Sequence, residues 1–251
     1  MYTPEERSNL RSDLLDRGSR DTRLSGAAIT GSAATQEEDR WSDLDLAFAI
    51  RNATDLPNVL SDWTAYMYDQ YRALHHFDVR AGAWTYRVFL LPNTLQVDLA
   101  FVPAAEFRPL SPRFRLVFGE ANEARHVSPQ MVGDIVGLAW LYALHARSCI
   151  ARQKHWQAEY MISGIRDNAF VLACIRHRLP TSHGRGLDQL PKTVAGGFEA
   201  ALVRQLDTPE LLRTFRVAVS VLITEIRNQD EVLAGKLEEP LRHLTETCRG
   251  V

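Results

Sequence analysis

Two aspartates flank a single leucine in the segment Ser42-Asp43-Leu44-Asp45-Leu46, whose other residues are typical of a buried strand. Residues i and i+2 of a strand project to the same face, so Asp43 and Asp45 are predicted to lie side by side. Neighbouring carboxylates repel each other unless a cation lies between them. Mg²⁺ suits such a pair, because proteins commonly hold it with one or two carboxylates plus substrate phosphates.

A third carboxylate, Asp98, occurs in a similar setting within the apolar run Leu-Gln-Val-Asp-Leu-Ala-Phe-Val. An acidic residue is uncommon in a plain core strand. Three carboxylates on adjacent strands could ligate two metal ions, the arrangement used for in-line phosphoryl or nucleotidyl displacement. For any one of these aspartates the alternative is an ordinary loop or solvent-facing position. The joint pattern is what favours a metal site.

A Gly31-Ser32 step follows the predicted strand at residues 24–30, and ten residues separate Ser32 from Asp43. Glycine lets backbone N–H groups approach a phosphate closely, and a serine hydroxyl adds another donor. Taken alone this dipeptide is a weak signal. At a fixed distance before the acidic pair, it favours a nucleotide-binding turn.

Composition and charge limit the classes of partner. With 45% hydrophobic and 24% charged residues, the chain has the composition of a folded globular protein. A formal net charge of −2 predicts no nucleic-acid or membrane-surface partner. Three widely spaced cysteines predict neither a disulfide framework nor a zinc site. A charged N-terminus without an apolar stretch predicts no signal peptide, so we expect a cytoplasmic protein.

Hydrophobic periodicity divides the chain into two halves. The first half has a predicted helix at 4–17, a second at 56–74, a hairpin turn at Pro92-Asn93-Thr94, and strands at 24–30, 44–50, 84–91, 95–102 and 115–120. After residue 127 the period is helical, with Ser128-Pro129 as the predicted N-cap. Later helices are predicted at 155–179, 198–206, 209–228 and 231–247. The predicted fold class is α+β: a small mixed sheet with helices, followed by an all-α helical bundle.

These motifs resemble the signature of the polymerase-β-type nucleotidyltransferase superfamily, through Gly31-Ser32, the segment 42–46 and Asp98. With its helical second half, the chain is more specifically similar to the small bacterial antibiotic nucleotidyltransferases of the lincosamide and aminoglycoside modifying type. The resemblance implies a catalytic nucleotidyltransferase domain at residues 1–125 and a helical substrate-binding bundle at 126–251. Because some relatives act as dimers, it also leaves a homodimer open.

The implied activity is Mg²⁺-dependent transfer of a nucleoside monophosphate from a nucleoside triphosphate, most simply AMP from ATP. The implied acceptor is a hydroxyl of a small molecule such as an aminoglycoside or lincosamide, and pyrophosphate is released. Carried over by position, Asp43 and Asp45 are metal ligands. Asp98 is a ligand of the catalytic metal and a general base for the acceptor hydroxyl.

The nucleotide phosphates are implied to contact Gly31 and Ser32. Many members of the superfamily have a basic residue and a second glycine just after Gly-Ser, where this chain has Ala33-Ala34-Thr35. Arg40 or a basic residue of the C-terminal half is therefore the candidate for that part of the triphosphate contact.

The helix predicted at 155–179 places Glu159, Ser163 and Arg166 on one face. In the resembling enzymes an acidic residue on an early C-terminal helix contacts or deprotonates the acceptor, and Glu159 is the candidate here. Arg166 could meet the triphosphate, because a guanidinium matches phosphate oxygens. The alternative is an inter-helix salt-bridge network. The opposite face, with Tyr160, is predicted to be core.

Two other functions remain open from the sequence. One is transfer of AMP to a protein side chain. The other is a non-catalytic nucleotide-binding regulatory protein, although such proteins are expected to have lost one or more of the three carboxylates.

Overall fold

The computed structural model describes residues 1–125 and 131–247, which contain six strands and seven α-helices. The chain divides into two compact units, Met1–Val127 and Ser128–Val251. The first combines a mixed sheet with helices and the second is helical, so the predicted α+β fold class is confirmed. The assignment of residues 1–125 as a catalytic domain and 126–251 as a substrate-binding bundle stays a prediction.

The N-terminal unit contains two helices and one six-stranded sheet. Its elements are α1 (Pro4–Arg20), β1 (Leu24–Thr30), β2 (Leu44–Ile50), α2 (Leu56–Tyr71), β3 (His75–Ala81), β4 (Trp84–Leu90), β5 (Gln96–Pro103) and β6 (Phe114–Gly119). The strand order is β3-β4-β5-β2-β1-β6. Strands β2 and β5 run parallel, whereas the other neighbouring pairs of the described strands run antiparallel. The predicted hairpin turn between β4 and β5 is confirmed.

One face of this sheet is buried against α1 and α2. The ring of Phe48 in β2 lies 4.7 Å from that of Trp63 in α2 and 5.6 Å from that of Phe101 in β5. All three side chains are fully buried. Burial of large aromatic groups dominates the stability of such a layer, so this cluster fixes α2 against the central strands.

The opposite face has small side chains at its centre. Ala28, Ala47 and Ala100 lie side by side on β1, β2 and β5, with Trp84 and Phe107 packed against them. Side chains alternate between the faces of a strand. The residues two positions before Ala47 and Ala100 therefore project to this same face.

The sequence did not predict β3, which lies at one edge of the sheet. In an ordinary surface strand the covered face is apolar and the exposed face is polar, and in β3 the two faces are reversed. Asp78 is paired with Arg87 of β4, with 2.7 Å from Nε to Oδ1, and Arg87 also donates to a backbone carbonyl of α2. The alternate residues Phe77 and Val79 are about half exposed. This pattern conceals the strand, because apolar residues normally mark the face that helices cover.

The C-terminal unit contains five helices: α3 (Val132–Ala151), α4 (His155–Arg176), α5 (Lys192–Ala200), α6 (Thr208–Gln229) and α7 (Glu231–Glu246). They enclose one apolar core. Helix α4 ends before its predicted end at residue 179, because Arg178 adopts a left-handed conformation with φ 57. Helix α5 begins earlier than the predicted 198, since the adjacent glycines at its centre weaken the helical signal. Ser128-Pro129, the predicted N-cap, lies outside the described residues.

Cys149 and Cys174 are buried free thiols, and Cys248 lies outside the described part of the chain. Within residues 1–125 and 131–247, none of the helices combines the length and apolar character needed to cross a membrane.

Candidate metal and nucleotide site

The parallel pairing of β2 with β5 sets Asp45 directly opposite Asp98. Both residues precede alanines by two positions, so both project to the alanine-lined face of the sheet. On either side of them, the pairs Leu44–Val97 and Leu46–Leu99 project to the helix-covered face and are fully buried. The register therefore places two carboxylates side by side on one face and an apolar core on the other.

Asp43 completes a group of three carboxylates. It comes immediately before β2, and one ligand oxygen from each of Asp43, Asp45 and Asp98 lies within 4.8 Å of the others. All three residues are half-buried. Hard, anionic oxygen donors at this spacing have the chemistry that divalent cations such as Mg²⁺ require. These three residues could hold a metal ion.

The environment of Asp98 makes its carboxyl group harder to ionise than that of an ordinary aspartate. Burial, together with the negative charge of Asp43, raises the pKa of the Asp98 carboxyl to about 6. The side chain of Gln96 acts in the opposite direction, because its Nε2 donates to both carboxylate oxygens, at 3.0 and 3.2 Å. Without a cation, a proton is what relieves the repulsion in this group. Sequence reasoning missed Gln96, although its position two residues before Asp98 on β5 puts it on the same face.

Gly31 and Ser32 begin a short 3₁₀ turn, Gly31–Ala34, directly after β1. Gly31 has φ +66, and a Cβ at this position would lie 2.0 Å from Oδ2 of Asp45. The Gly-Ser step is therefore adjacent to the acidic group, in agreement with the spacing that the sequence suggested. Glycine is required here for two reasons, the left-handed backbone and the close approach of a carboxylate.

Arg40, the candidate for part of the triphosphate contact, is exposed, and its guanidinium carbon lies 4.3 Å from the centre of the Trp41 ring. The Trp41 side chain is itself 64% exposed. Both residues belong to the 35–42 loop, the segment between the 3₁₀ turn and Asp43. The role of Arg40 stays a prediction.

Glu159 and Arg166 lie on α4 of the C-terminal unit. Ser163 donates a hydrogen bond of 2.7 Å to Oε1 of Glu159, one helical turn away. Arg166 is paired with its neighbour Asp167 at 3.1 Å, and the inter-helix ion pair of α4 is instead formed by Arg176 with Glu225 of α6. The functional roles of Glu159 and Arg166 stay predictions.

The assignment of Tyr160 to the helix core is wrong, because its side chain is 63% exposed. Ile165 and Leu172, on the same predicted face, are fully buried. At 3.6 residues per turn, Tyr160 lies about 140° from Ile165 around the helix, away from the buried face. Its ring and that of Tyr142 have centroids 6.5 Å apart and planes at 73°.

Comparisons with known proteins add little to this geometry. No protein-family model matches the chain, and no curated protein sequence matches it significantly. Among solved structures, the chain is similar to an aminoglycoside 6-adenyltransferase from Bacillus subtilis, with a TM-score of 0.41 and 9% identity over 92% of this chain and 95% of that one. A TM-score of this size does not establish a shared fold, so the proposed chemistry depends on the residues of the site.

Proposed function

We propose that this protein is a Mg²⁺-dependent nucleotidyltransferase that moves a nucleoside monophosphate, in the simplest case AMP from ATP, to a hydroxyl group of a small acceptor. The observation that carries the proposal is the group of ligand oxygens from Asp43, Asp45 and Asp98, which lie within 4.8 Å of one another. Neighbouring carboxylates repel each other unless a cation lies between them. Mg²⁺ held by carboxylates is a feature of enzymes that act on phosphates.

The donor set fits Mg²⁺, since it offers hard anionic oxygens and leaves further coordination positions for phosphate oxygens and water. Bound between these carboxylates, Mg²⁺ would supply charge neutralisation for the triphosphate and orientation of its α-phosphate. From the motif resemblance, we assign Gly31 and Ser32 to the nucleotide phosphates. Arg40 and Arg166 are the proposed basic contacts to the triphosphate.

The transfer breaks one bond and forms another. The acceptor hydroxyl oxygen bonds to the α-phosphorus while the bond from that phosphorus to the oxygen bridging the β-phosphate breaks, so pyrophosphate leaves. The hydroxyl proton passes to a carboxylate. Asp98 is the first candidate for this base, because the motif resemblance places the third carboxylate within hydrogen-bonding reach of the acceptor hydroxyl. Glu159 is the second candidate.

The direct test is incubation with ATP, Mg²⁺ and a panel of hydroxylated acceptors that includes aminoglycosides and lincosamides. We expect an acceptor product heavier by one AMP unit, together with stoichiometric pyrophosphate. Asp45→Asn should lower the rate about a thousandfold, because it removes a charged metal ligand worth several kcal/mol in the transition state. Asp69→Asn, at an exposed aspartate of α2, is the matched control and should retain the full rate.

Other outcomes separate the remaining functions. A gain of one AMP on a protein in cell lysate, with no small-molecule product, would identify a protein AMP-transferase. Tight ATP binding without turnover on any acceptor would identify a non-catalytic nucleotide-binding protein. Failure to bind nucleotide in the presence of Mg²⁺ would contradict the proposal.

A further inference from the structure

Arg7 of α1 is a charged side chain in the interior of the N-terminal unit, and only 3% of the residue is exposed. Burying a guanidinium costs several kcal/mol unless acceptors meet its N–H groups. An apolar residue would cover the adjacent core at lower cost. The contacts that Arg7 makes therefore indicate what the buried charge is for.

Those contacts are made with the 35–42 loop, which leads to Asp43. Nη1 of Arg7 donates to the backbone carbonyls of Asp39, at 2.8 Å, and Ser42, at 2.7 Å. Nε lies 3.0 Å from Oε1 of Glu38, an ion pair whose geometry falls short of a hydrogen bond. The hydroxyl of Tyr2, just before α1, donates to the same Ser42 carbonyl at 2.8 Å. Two donors from the N-terminal segment thus converge on one carbonyl oxygen.

The Ser42 carbonyl belongs to the peptide unit that joins Ser42 to Asp43. Because a peptide unit is planar, restraining this carbonyl group also limits the orientations open to the Asp43 N–H and the positions open to its Cα. Arg7 and Tyr2 therefore restrain the backbone from which the Asp43 carboxylate projects.

The loop is also braced internally. Oδ1 of Asp39 accepts from the Trp41 N–H at 2.8 Å and from the Ser42 hydroxyl at 3.0 Å, and the Asp39 N–H donates to the Ser42 hydroxyl at 2.9 Å. These bonds shape residues 39–42 into a compact turn but do not attach it to the rest of the unit. Two arginines of α1 attach the loop to the helix: Arg11 pairs with Glu38, and Arg7 makes the contact to the Ser42 carbonyl next to Asp43.

We propose that Arg7 is a positioning residue for the metal ligand Asp43, and that the N-terminal helix thereby forms part of the site. This inference rests on the metal site of the proposed function. Asp45 and Asp98 are held by the sheet ladder, whereas Asp43 precedes β2. A carboxylate outside the regular strand needs another restraint, and the Arg7 contacts provide it.

The test measures binding of Mn²⁺, as a paramagnetic probe for Mg²⁺, by titration followed with electron paramagnetic resonance in the absence of nucleotide. We expect Arg7→Met to weaken Mn²⁺ binding about tenfold, the usual lower bound for loss of a residue that orients a metal ligand. Arg7→Lys should recover part of the affinity, because it restores the charge without the guanidinium fork. Tyr2→Phe removes a single hydroxyl and should weaken binding about twofold to threefold.

Arg108 offers a matched control. It is also buried, donates to a backbone carbonyl, that of Ala105, at 2.7 Å, and is paired with Glu106 at 3.4 Å. Like Arg7→Met, Arg108→Met removes a buried guanidinium and should lower the thermal midpoint. Unlike Arg7→Met, it should leave Mn²⁺ affinity at the wild-type value. A loss of affinity confined to Arg7 and Tyr2 variants supports positioning, whereas equal losses in Arg108→Met would mean a general effect of destabilisation and overturn it.

The outcomes for the inference and for the proposed function are separable. Wild-type protein that binds Mn²⁺ without transferring a nucleotide leaves the positioning role intact and removes the enzymatic proposal. Folded Arg7→Met with wild-type Mn²⁺ affinity removes the positioning role alone. Should Arg7→Met fail to fold, unchanged affinity in Tyr2→Phe decides against the inference and weakened affinity supports it. Wild-type protein that binds no Mn²⁺ overturns both.

Discussion

Gly31 lies so close to Asp45 that a Cβ on residue 31 would come within 2.0 Å of a carboxylate oxygen and 2.9 Å of the carboxyl carbon. The overlap can be relieved only if the Asp45 carboxylate itself moves. The Asp45 carboxylate can therefore occupy its observed position only because residue 31 has no side chain.

This relationship predicts the effect of Gly31→Ala. We expect the substitution to displace Asp45 and to weaken Mn²⁺ binding about tenfold or more. The left-handed backbone at φ +66 adds a stability cost of roughly 1 kcal/mol for any residue with a Cβ. Metal titration and thermal denaturation of the same samples measure the two effects.

Gly82→Ala is the control for backbone strain. Gly82 also has a positive φ, +59, but a Cβ there would have no neighbour within 4 Å. It should show the stability cost without the loss of metal affinity. If both variants retain wild-type affinity, contact between Gly31 and Asp45 does not govern the site.

The raised pKa of Asp98 predicts how the stability of the metal-free protein depends on pH. The folded chain keeps the proton on this carboxyl up to about pH 6, whereas the unfolded chain loses it near pH 4. The contribution of Asp98 to stability is therefore fully present below about pH 4 and is lost as pH rises through 6. We expect the free energy of unfolding to fall by roughly 2 kcal/mol over this window, a figure that already allows for solvent screening. Urea denaturation at several pH values measures this change.

Asp98→Asn isolates this contribution from those of other carboxylates. Asparagine cannot ionise, so the variant should be more stable than wild type at pH 7 without metal and similar at pH 4. Addition of Mg²⁺ should raise the thermal midpoint of wild type more at pH 7 than at pH 5, since protons compete with the metal. The variant should show little response to Mg²⁺ at either pH. Identical pH curves for the two proteins would refute the assignment.

Glu159→Gln tests whether Glu159 acts on the acceptor, as a contact or as a base. We expect this variant to keep wild-type Mn²⁺ affinity and a wild-type KM for ATP, and to lower kcat/KM for the acceptor by roughly 10²-fold, the size of a lost general-acid–base or acceptor contact. Ser163→Ala, which removes the hydroxyl that donates to Glu159, should produce a smaller effect in the same parameter. Unchanged acceptor kinetics would leave Asp98 as the base.

Gly18→Ala tests the packing of α1 on the sheet. In a helix interior this change ordinarily stabilises a protein by about 0.5–1 kcal/mol. Here the added Cβ would lie 2.6 Å from Cε1 of Phe48, whose ring is held between Trp63 and Phe101. We expect destabilisation by roughly 1–3 kcal/mol, as in other overpacked cores, measured by urea denaturation.

Gly235→Ala in α7 is the matched comparison. A Cβ at Gly235 would have no neighbour within 4 Å, so the usual stabilisation of about 0.5–1 kcal/mol should appear there. The opposite signs of the two substitutions would establish that packing, not helix propensity, decides the outcome at Gly18.

Residue patterns were sufficient to predict the central strands and the fold class. Strands β1 and β2 have the predicted limits, because both are short apolar runs followed by turn-forming or polar residues, a pattern that favours strands. The same patterns failed at β3, where the exposed face is apolar and the covered face carries Asp78. The polarity of a sequence predicts which face of a strand is buried only where the exposed face is polar. In β3 the exposed face is apolar.

The site was predictable to a similar extent. Carboxylates in apolar strands are conspicuous, and Asp43, Asp45 and Asp98 do lie together. The parallel pairing that brings Asp98 opposite Asp45 is a long-range property that no short segment encodes. The same holds for Arg7, whose contacts lie more than thirty residues away in the chain; a lone arginine in an amphipathic helix gives no sign of a partner at that distance.

The pairing of β2 with β5 has a consequence for misfolded chains. If the two strands slipped by one residue, Asp98 would turn toward the aromatic layer under α2, and Val97 or Leu99 would face Asp45 instead. Such a chain would disperse the group of three carboxylates and bury an unpaired carboxylate at the same time. The alignment of these strands and the grouping of the carboxylates therefore depend on each other. On the proposed function, binding of a divalent ion would also report that the sheet is correctly assembled.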